Sequence, residues 1–350
     1  MLTRRSMTTA AHRRTGTSGQ ARVRWSRFRS VITALATGLA VLASLPAPAS
    51  AGDARQGRQV AYLTNQGNDT VSVVDITTNT VIATIPVGGA PTGVAAGPGG
   101  TRVYVANRDS DTVSVINTAT NGVIANIPVG DEPNGLAVSP GGTRVYVANF
   151  ASGTVSVIDT ATNAVIATIP AGDGPNRVAF SPGGTRAYVT NFASGTVSVI
   201  DTATNTVIAT IPVGVAPIGV RLTPGGTRAY VANLGSATVS VIDTATNTVI
   251  ATIPVDSQPS LVAVSPGGTR AYVTDFGAGT VSVIDTATNT VIATVPVGTQ
   301  PFGVAVTAGG TRAYVCNVDS MSVIDTATNT VIATLSLPDG PFEIAIAEVP

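Results

Sequence analysis

Three charged residues break an otherwise repetitive apolar pattern, and they are the side chains best placed to do chemistry. Arg177 and Glu343 stand where most equivalent positions carry glycine, and Arg221 stands where the others carry alanine. A charge in such surroundings needs a partner or water. Arg177, Arg221 and Glu343, with Asn176 beside them, therefore form a candidate polar site; the alternative is charge solvated in a wet tunnel. Asp109 and Asp111 hold carboxylates at alternating positions, as oxygen ligands of Ca²⁺ do. The glycine and glutamate that would complete such a loop are not in register, so calcium is only a weak candidate and no metal site is assigned. Cys316 has no neighbouring base to activate it and reads as a buried, inert thiol.

Other chemistry is excluded by composition. His12 is the one histidine and Trp25 the one tryptophan, and both precede residue 52. Without histidine beyond that point there is no imidazole for general acid-base work, for a Ser-His-Asp triad or for axial haem ligation. The expectation is a chain without an enzymatic reaction and without a cofactor.

Residues 1–51 read as a secretory signal peptide. Eight arginines lie between Met1 and Ser30, an apolar run follows from Val31 to Leu45, and the segment ends in a small-residue cleavage pattern at Ala51. Arg4-Arg5 lies far from the apolar run, which favours the general secretory route over the twin-arginine one. Residues 52–57 are a short linker. Past the leader, 11 arginines face 19 acidic residues, a net charge of −8, with no lysine anywhere. That balance gives no footprint for a nucleic-acid backbone. No second apolar span follows, so the expected location is secreted, in the extracellular space or the cell envelope and periplasm, and a monomer is expected. The single Cys316 forms no internal disulfide.

The elements that must position these residues are read from an internal repeat. Tyr62, Tyr104, Tyr146, Tyr188, Tyr230, Tyr272 and Tyr314 are spaced by 42 residues, and seven such units account for Gly57 to Pro350. Within the third unit, four strands alternate with period two: 136–138, 144–148, 154–158 and 165–169. Pro-Gly-Gly and Asp-Thr-Ala-Thr-Asn turns separate them. Four short antiparallel strands per repeat specify a propeller blade. The fold class is all-β, a seven-bladed β-propeller over residues 58–350. The first unit lacks an innermost strand and the C-terminal Pro341–Ala347 supplies one, so the last strand is expected to pair with the first blade and close the ring.

The recurring Arg and Asp beside these turns read as ion pairs or turn caps on one face, and the tyrosines as core anchors. Variation concentrates on the opposite face, the place for a binding site on a rigid frame. Acidic loops there carry Arg108, Asp109, Asp111, Asp131 and Glu132. Later loops carry Phe150, Phe192, Phe276, Phe302 and Phe342, either as an exposed apolar arc or folded down over their own blades.

Tyr188-Val-Thr-Asn191 followed by Gly195-Thr-Val-Ser-Val-Ile-Asp201 resembles the YVTN family of β-propeller repeats, with variants such as Tyr104-Val-Ala-Asn107 in the other units. The resemblance covers nearly everything after residue 57 and implies an exported bacterial or archaeal envelope protein. The fold is also similar to propellers that hold haem d1. The expected function is a non-catalytic scaffold presenting its variable face to a protein, glycan or small ligand. The alternatives are a metal-assisted, lactonase-like hydrolase and a surface-layer building block.

Overall fold

The computed structural model describes residues 58–337 and 339–349. The expected signal peptide and the linker 52–57 lie outside the described residues. Among the described residues, twenty-eight strands, β1 to β28 in chain order, form seven four-stranded antiparallel sheets. It is a seven-bladed β-propeller.

The third blade shows why the sequence folds this way. Its strands are β8 (Pro133–Val138), β9 (Arg144–Asn149), β10 (Thr154–Asp159) and β11 (Ala164–Pro170), from the channel outward. The two middle strands are buried on both faces because each sheet is covered by a neighbour on either side. The outermost strand alternates towards solvent, with Ile166 exposed and Ile169 buried, and it ends at a proline, which an edge tolerates. The innermost strand starts three residues earlier than its alternation indicates. Between Pro133 and Leu136 the register with β9 shifts, and this bulge hides the period-two signal.

The recurring polar residues hold blade to blade. Arg144 Nη1 donates to the Thr202 carbonyl of the next blade at 2.9 Å, and Arg186 Nη1 does the same to Thr244 at 2.8 Å. Asp201 Oδ1 accepts the backbone N–H groups of Ala203 and Thr204, which caps its turn. Turn capping therefore dominates over ion pairing, with Arg58–Asp75 at 2.7 Å the exception on this face. All seven tyrosines are buried, and Tyr146 donates its hydroxyl to Asn205 of the following blade at 2.5 Å.

The ring closes as its ends require. β28 (Pro341–Val349) pairs antiparallel with β1 (Arg58–Asn65), matching Tyr62 to Ala345 and Val60 to Ala347, and becomes the innermost strand of blade 1. No inner edge is left unpaired at that junction.

Candidate functional site

The innermost strands set the shape of the central channel. They are β4 (Pro91–Ala96), β8, β12 (Pro175–Phe180), β16 (Pro217–Leu222), β20 (Pro259–Val264), β24 (Val304–Val306) and β28. Each runs from the variable loop face towards the Pro-Gly-Gly turns. Near the loop face the third position is Gly93, Gly135, Arg177, Gly219, Leu261, Gly303 and Glu343 in ring order. Neighbouring strands approach closely there. A Cβ at Gly219 would lie 2.6 Å from the Ser260 carbonyl, and one at Gly135 would collide with Arg177. The channel narrows at this level, and the two charged side chains fill the gap.

Arg177 in blade 4 and Glu343 in blade 1 meet across the axis at 2.9 Å. Arg177 is only 5% exposed. Its Nη1 donates to Asn134 Oδ1 at 2.9 Å and to Asn176 Oδ1 at 3.0 Å, and its guanidinium lies 5.6 Å from the Phe302 ring centroid. The contact with Glu343 is electrostatic rather than aligned, because Arg177 Nη2 and Glu343 Oε2 lack hydrogen-bond geometry. Burial pushes the Arg177 pKa down, and the Glu343 charge opposes that shift. Burial likewise pushes the Glu343 carboxyl up, against the pull of Arg177.

On the loop side of this pair the aromatic residues form a seal. Phe302 is buried, stacks on Phe342 at 4.0 Å and meets Phe276 edge-on at 6.4 Å. Phe192 and Leu234 pack on the same cluster, and Phe150 tilts against Phe192 at 6.0 Å. These rings are neither an exposed arc nor separate covers for single blades. They pack on one another across several blades.

The opposite end is open. A cup of about 570 Å³ runs from Arg177, Gly219, Leu261 and Glu343 at its floor to Pro140, Pro182, Pro224 and Pro266 at its mouth. That volume lies within the range of small-molecule sites. Its walls are mainly Val, Ala, Leu and Ile, and a shallower hollow of about 640 Å³ adjoins the mouth beside Gly97–Gly100 and Ile346–Val349. Arg221 is exposed within the cup, where desolvation by the walls lowers its pKa. It forms no ion pair among the described residues. Of the three expected channel charges, two therefore neutralise each other and one is free to meet a ligand.

The acidic loops stay apart from the cup. Arg108 pairs with Glu132 at 2.6 Å, Asp111 Oδ1 accepts the Glu132 N–H at 2.8 Å, and Asp109 and Asp131 are exposed. Asp109 and Asp111 gain no third carboxylate. Among the described residues no group of three His, Cys, Asp or Glu side chains is placed to hold a metal. Cys316 is fully buried, and burial raises its thiol pKa strongly.

One further group escaped the reading of the sequence. Asp275 ends β21 (Arg270–Asp275), where the six other units carry asparagine at the equivalent position, and Asp256 lies close above it in place of glycine. The two simultaneous changes to aspartate were the available signal.

Comparison with known proteins changes the functional reading. The family model described as the cytochrome D1 heme domain matches residues 55–181, and that of the YNCE-like beta-propeller matches residues 141–228. No curated protein matches the chain. Among solved structures, Kuenenia stuttgartiensis hydrazine synthase is similar at 26% identity and a TM-score of 0.70, covering 76% of this chain and 92% of that one. A functionally unknown protein from Desulfotomaculum acetoxidans is 18% identical with a TM-score of 0.72, covering 83% and 99%. The dihydro-heme d1 dehydrogenase NirN, solved in complex with DHE, is 19% identical with a TM-score of 0.61, covering 80% and 73%. At under 25% identity the last two show the shared fold.

These findings correct two expectations. The cytochrome D1 heme domain match points to a haem-related propeller and overturns the non-catalytic display scaffold. It equally overturns the expectation of no cofactor. The error came from equating haem with histidine: a missing imidazole bears on iron ligation and not on the site that receives the organic ring. Among the described residues no helix is long and apolar enough to cross a membrane.

Proposed function

We propose that this chain is an exported, haem-related propeller of the YVTN type that receives a carboxylate-bearing tetrapyrrole in its cup. The observation that carries this reading is Arg221, an unpaired guanidinium on an apolar wall inside a cup closed at one end. A tetrapyrrole is a flat apolar ring with carboxylates at its edge. It asks for apolar walls and a cation, and the cup supplies both. The cytochrome D1 heme domain match supports the ligand class.

The iron is a separate matter. No cup-lining residue is His, Cys, Met, Tyr or Lys, and Cys316 and Met321 are fully buried in their strands. The residues fit the organic part of the group and do not fit axial ligation of its metal. What the chain's own residues do is bind and orient: Arg221 holds a carboxylate, the Val and Ala walls exclude water from the ring faces, and the Arg177–Glu343 pair sets the depth of insertion.

The test is an equilibrium titration of haemin into residues 52–350, followed by absorbance and by quenching of tyrosine fluorescence. The reading expects saturable one-to-one binding that Arg221→Ala weakens by about tenfold, equivalent to about 1.4 kcal/mol. Failure of haemin to saturate, or an unchanged affinity in Arg221→Ala, contradicts it.

A further inference from the structure

In most units the second strand of the blade ends in an asparagine that organises two hydroxyls. Asn233 Nδ2 donates to Thr238 Oγ1 at 3.2 Å and to Ser240 Oγ at 2.9 Å, and Asn191 does the same to Thr196 and Ser198. A glycine lies against that asparagine. A Cβ at Gly214 would sit 2.6 Å from Asn233 Cγ, and one at Gly298 would sit 2.5 Å from Asn317 Cγ. Blade 6 keeps both hydroxyls and changes both partners, with Asp275 for the asparagine and Asp256 for the glycine.

The changes bring two carboxyl groups onto one hydroxyl. Thr280 Oγ1 lies 3.0 Å from Asp256 Oδ2 and 3.2 Å from Asp275 Oδ2, and Ser282 Oγ donates to Asp275 Oδ2 at 2.8 Å. A threonine hydroxyl has one hydrogen to give. With both carboxyls ionised, it serves one of them and leaves two like charges sharing the site. With a proton on Asp275 every hydrogen is used: Asp275 donates to Thr280, and Thr280 donates to Asp256. Towards the threonine, this restores the donor direction that asparagine supplies in the other blades.

We propose that Asp275 is a proton-binding site of the folded protein, taking up a proton as pH falls through neutrality and relaying its hydrogen bond through Thr280 to Asp256. Asp275 is fully buried, with Oδ1 unpartnered. Its pKa stands at about 7, raised first by desolvation and further by the Asp256 charge. No other charge faces it from the strands around it: β20, β22 (Thr280–Asp285) and β24 carry no titratable group at this end, and Arg270 and Asp285 lie opposite each other in register at the far end of their strands. Phe276 follows Asp275 directly and meets Phe302 edge-on.

The test combines carbon-detected NMR of the Asp275 carboxyl with urea unfolding of the parent, Asp275→Asn and Asp256→Gly. The Asp275 resonance is expected to titrate near neutrality in the parent and at lower pH in Asp256→Gly. The advantage of Asp275→Asn in urea midpoint is expected to grow between about pH 5 and about pH 8. A carboxyl already ionised at about pH 5, or a midpoint difference that is constant with pH, overturns the proposal. A calcium-dependent rise in the parent's midpoint at about pH 8 that is missing in Asp275→Asn makes the pair a cation site and overturns it as well.

Discussion

Arg177 and Glu343 reach across the central channel from blade 4 and blade 1 and meet at 2.9 Å. The pair is the floor of the cup, and it joins the closing strand β28 to the far side of the ring.

Removing one member leaves a buried charge alone. Glu343→Ala is expected to destabilise the protein by about 3–5 kcal/mol in urea unfolding. Replacing both residues with leucine is expected to cost less than either single change, since no charge is then stranded. Equal and additive losses would show that the pair contributes no coupling.

Ring closure gives a second expectation. A chain ending at Leu337 lacks β28 and exposes the inner edge of β1, so it is expected to oligomerise or lose cooperative unfolding. Melting like the full chain, read by calorimetry together with light scattering, contradicts the closure.

Two tyrosines with the same packing differ in their hydroxyls. Tyr230 donates to Asn289 at 2.9 Å, whereas the buried Tyr188 hydroxyl has no partner among the described residues. Tyr230→Phe is expected to cost about 1 kcal/mol, and Tyr188→Phe to be neutral or stabilising. Tyr188→Ala is expected to cost about 3–5 kcal/mol through the cavity it leaves. Urea midpoints of the three variants check the order.

Stability should respond to pH in two opposite directions. Backbone N–H and hydroxyl bonds from Thr204 hold the turn carboxylate Asp201 below its ordinary pKa, and Asp159, Asp243, Asp285 and Asp325 have the equivalent bonds. Their contribution is present above the unfolded pKa of about 4 and is lost as pH falls through the folded value. Asp275 is raised to about 7, so its folded form binds the proton more tightly than its unfolded form. Stability from that group falls as pH rises from about 4 to about 7, by at most about 4 kcal/mol. Urea midpoints across this range test both slopes, and Asp275→Asn should remove only the second.

The blades were legible because their signals are local. A tyrosine every 42 residues, Pro-Gly-Gly turns and period-two strands each act within one unit, and the unmatched ends indicated the closure. The cup was not legible for the opposite reason. Alternation assigns residues to two faces, but which end of the channel is plugged depends on Arg177, Phe302 and Glu343, which come from three blades. Opposite charges at the same strand position were a clue to the ion pair. Asp275 passed unnoticed because aspartate and asparagine have the same shape in a repeat pattern, and only Asp256 across the turn separates them. The variable loops drew attention to the face that the aromatic cluster seals, and the open mouth lies among the recurring Gly-Gly turns.

The most direct measurement is a crystal structure of the protein soaked with protoporphyrin IX, which tests the cup without requiring iron ligation. Ring density is expected between the apolar walls, entering from the Pro-Gly-Gly face, with a carboxylate in hydrogen-bonding range of Arg221. Density confined to the loop face, or an empty cup at saturating porphyrin, would contradict it.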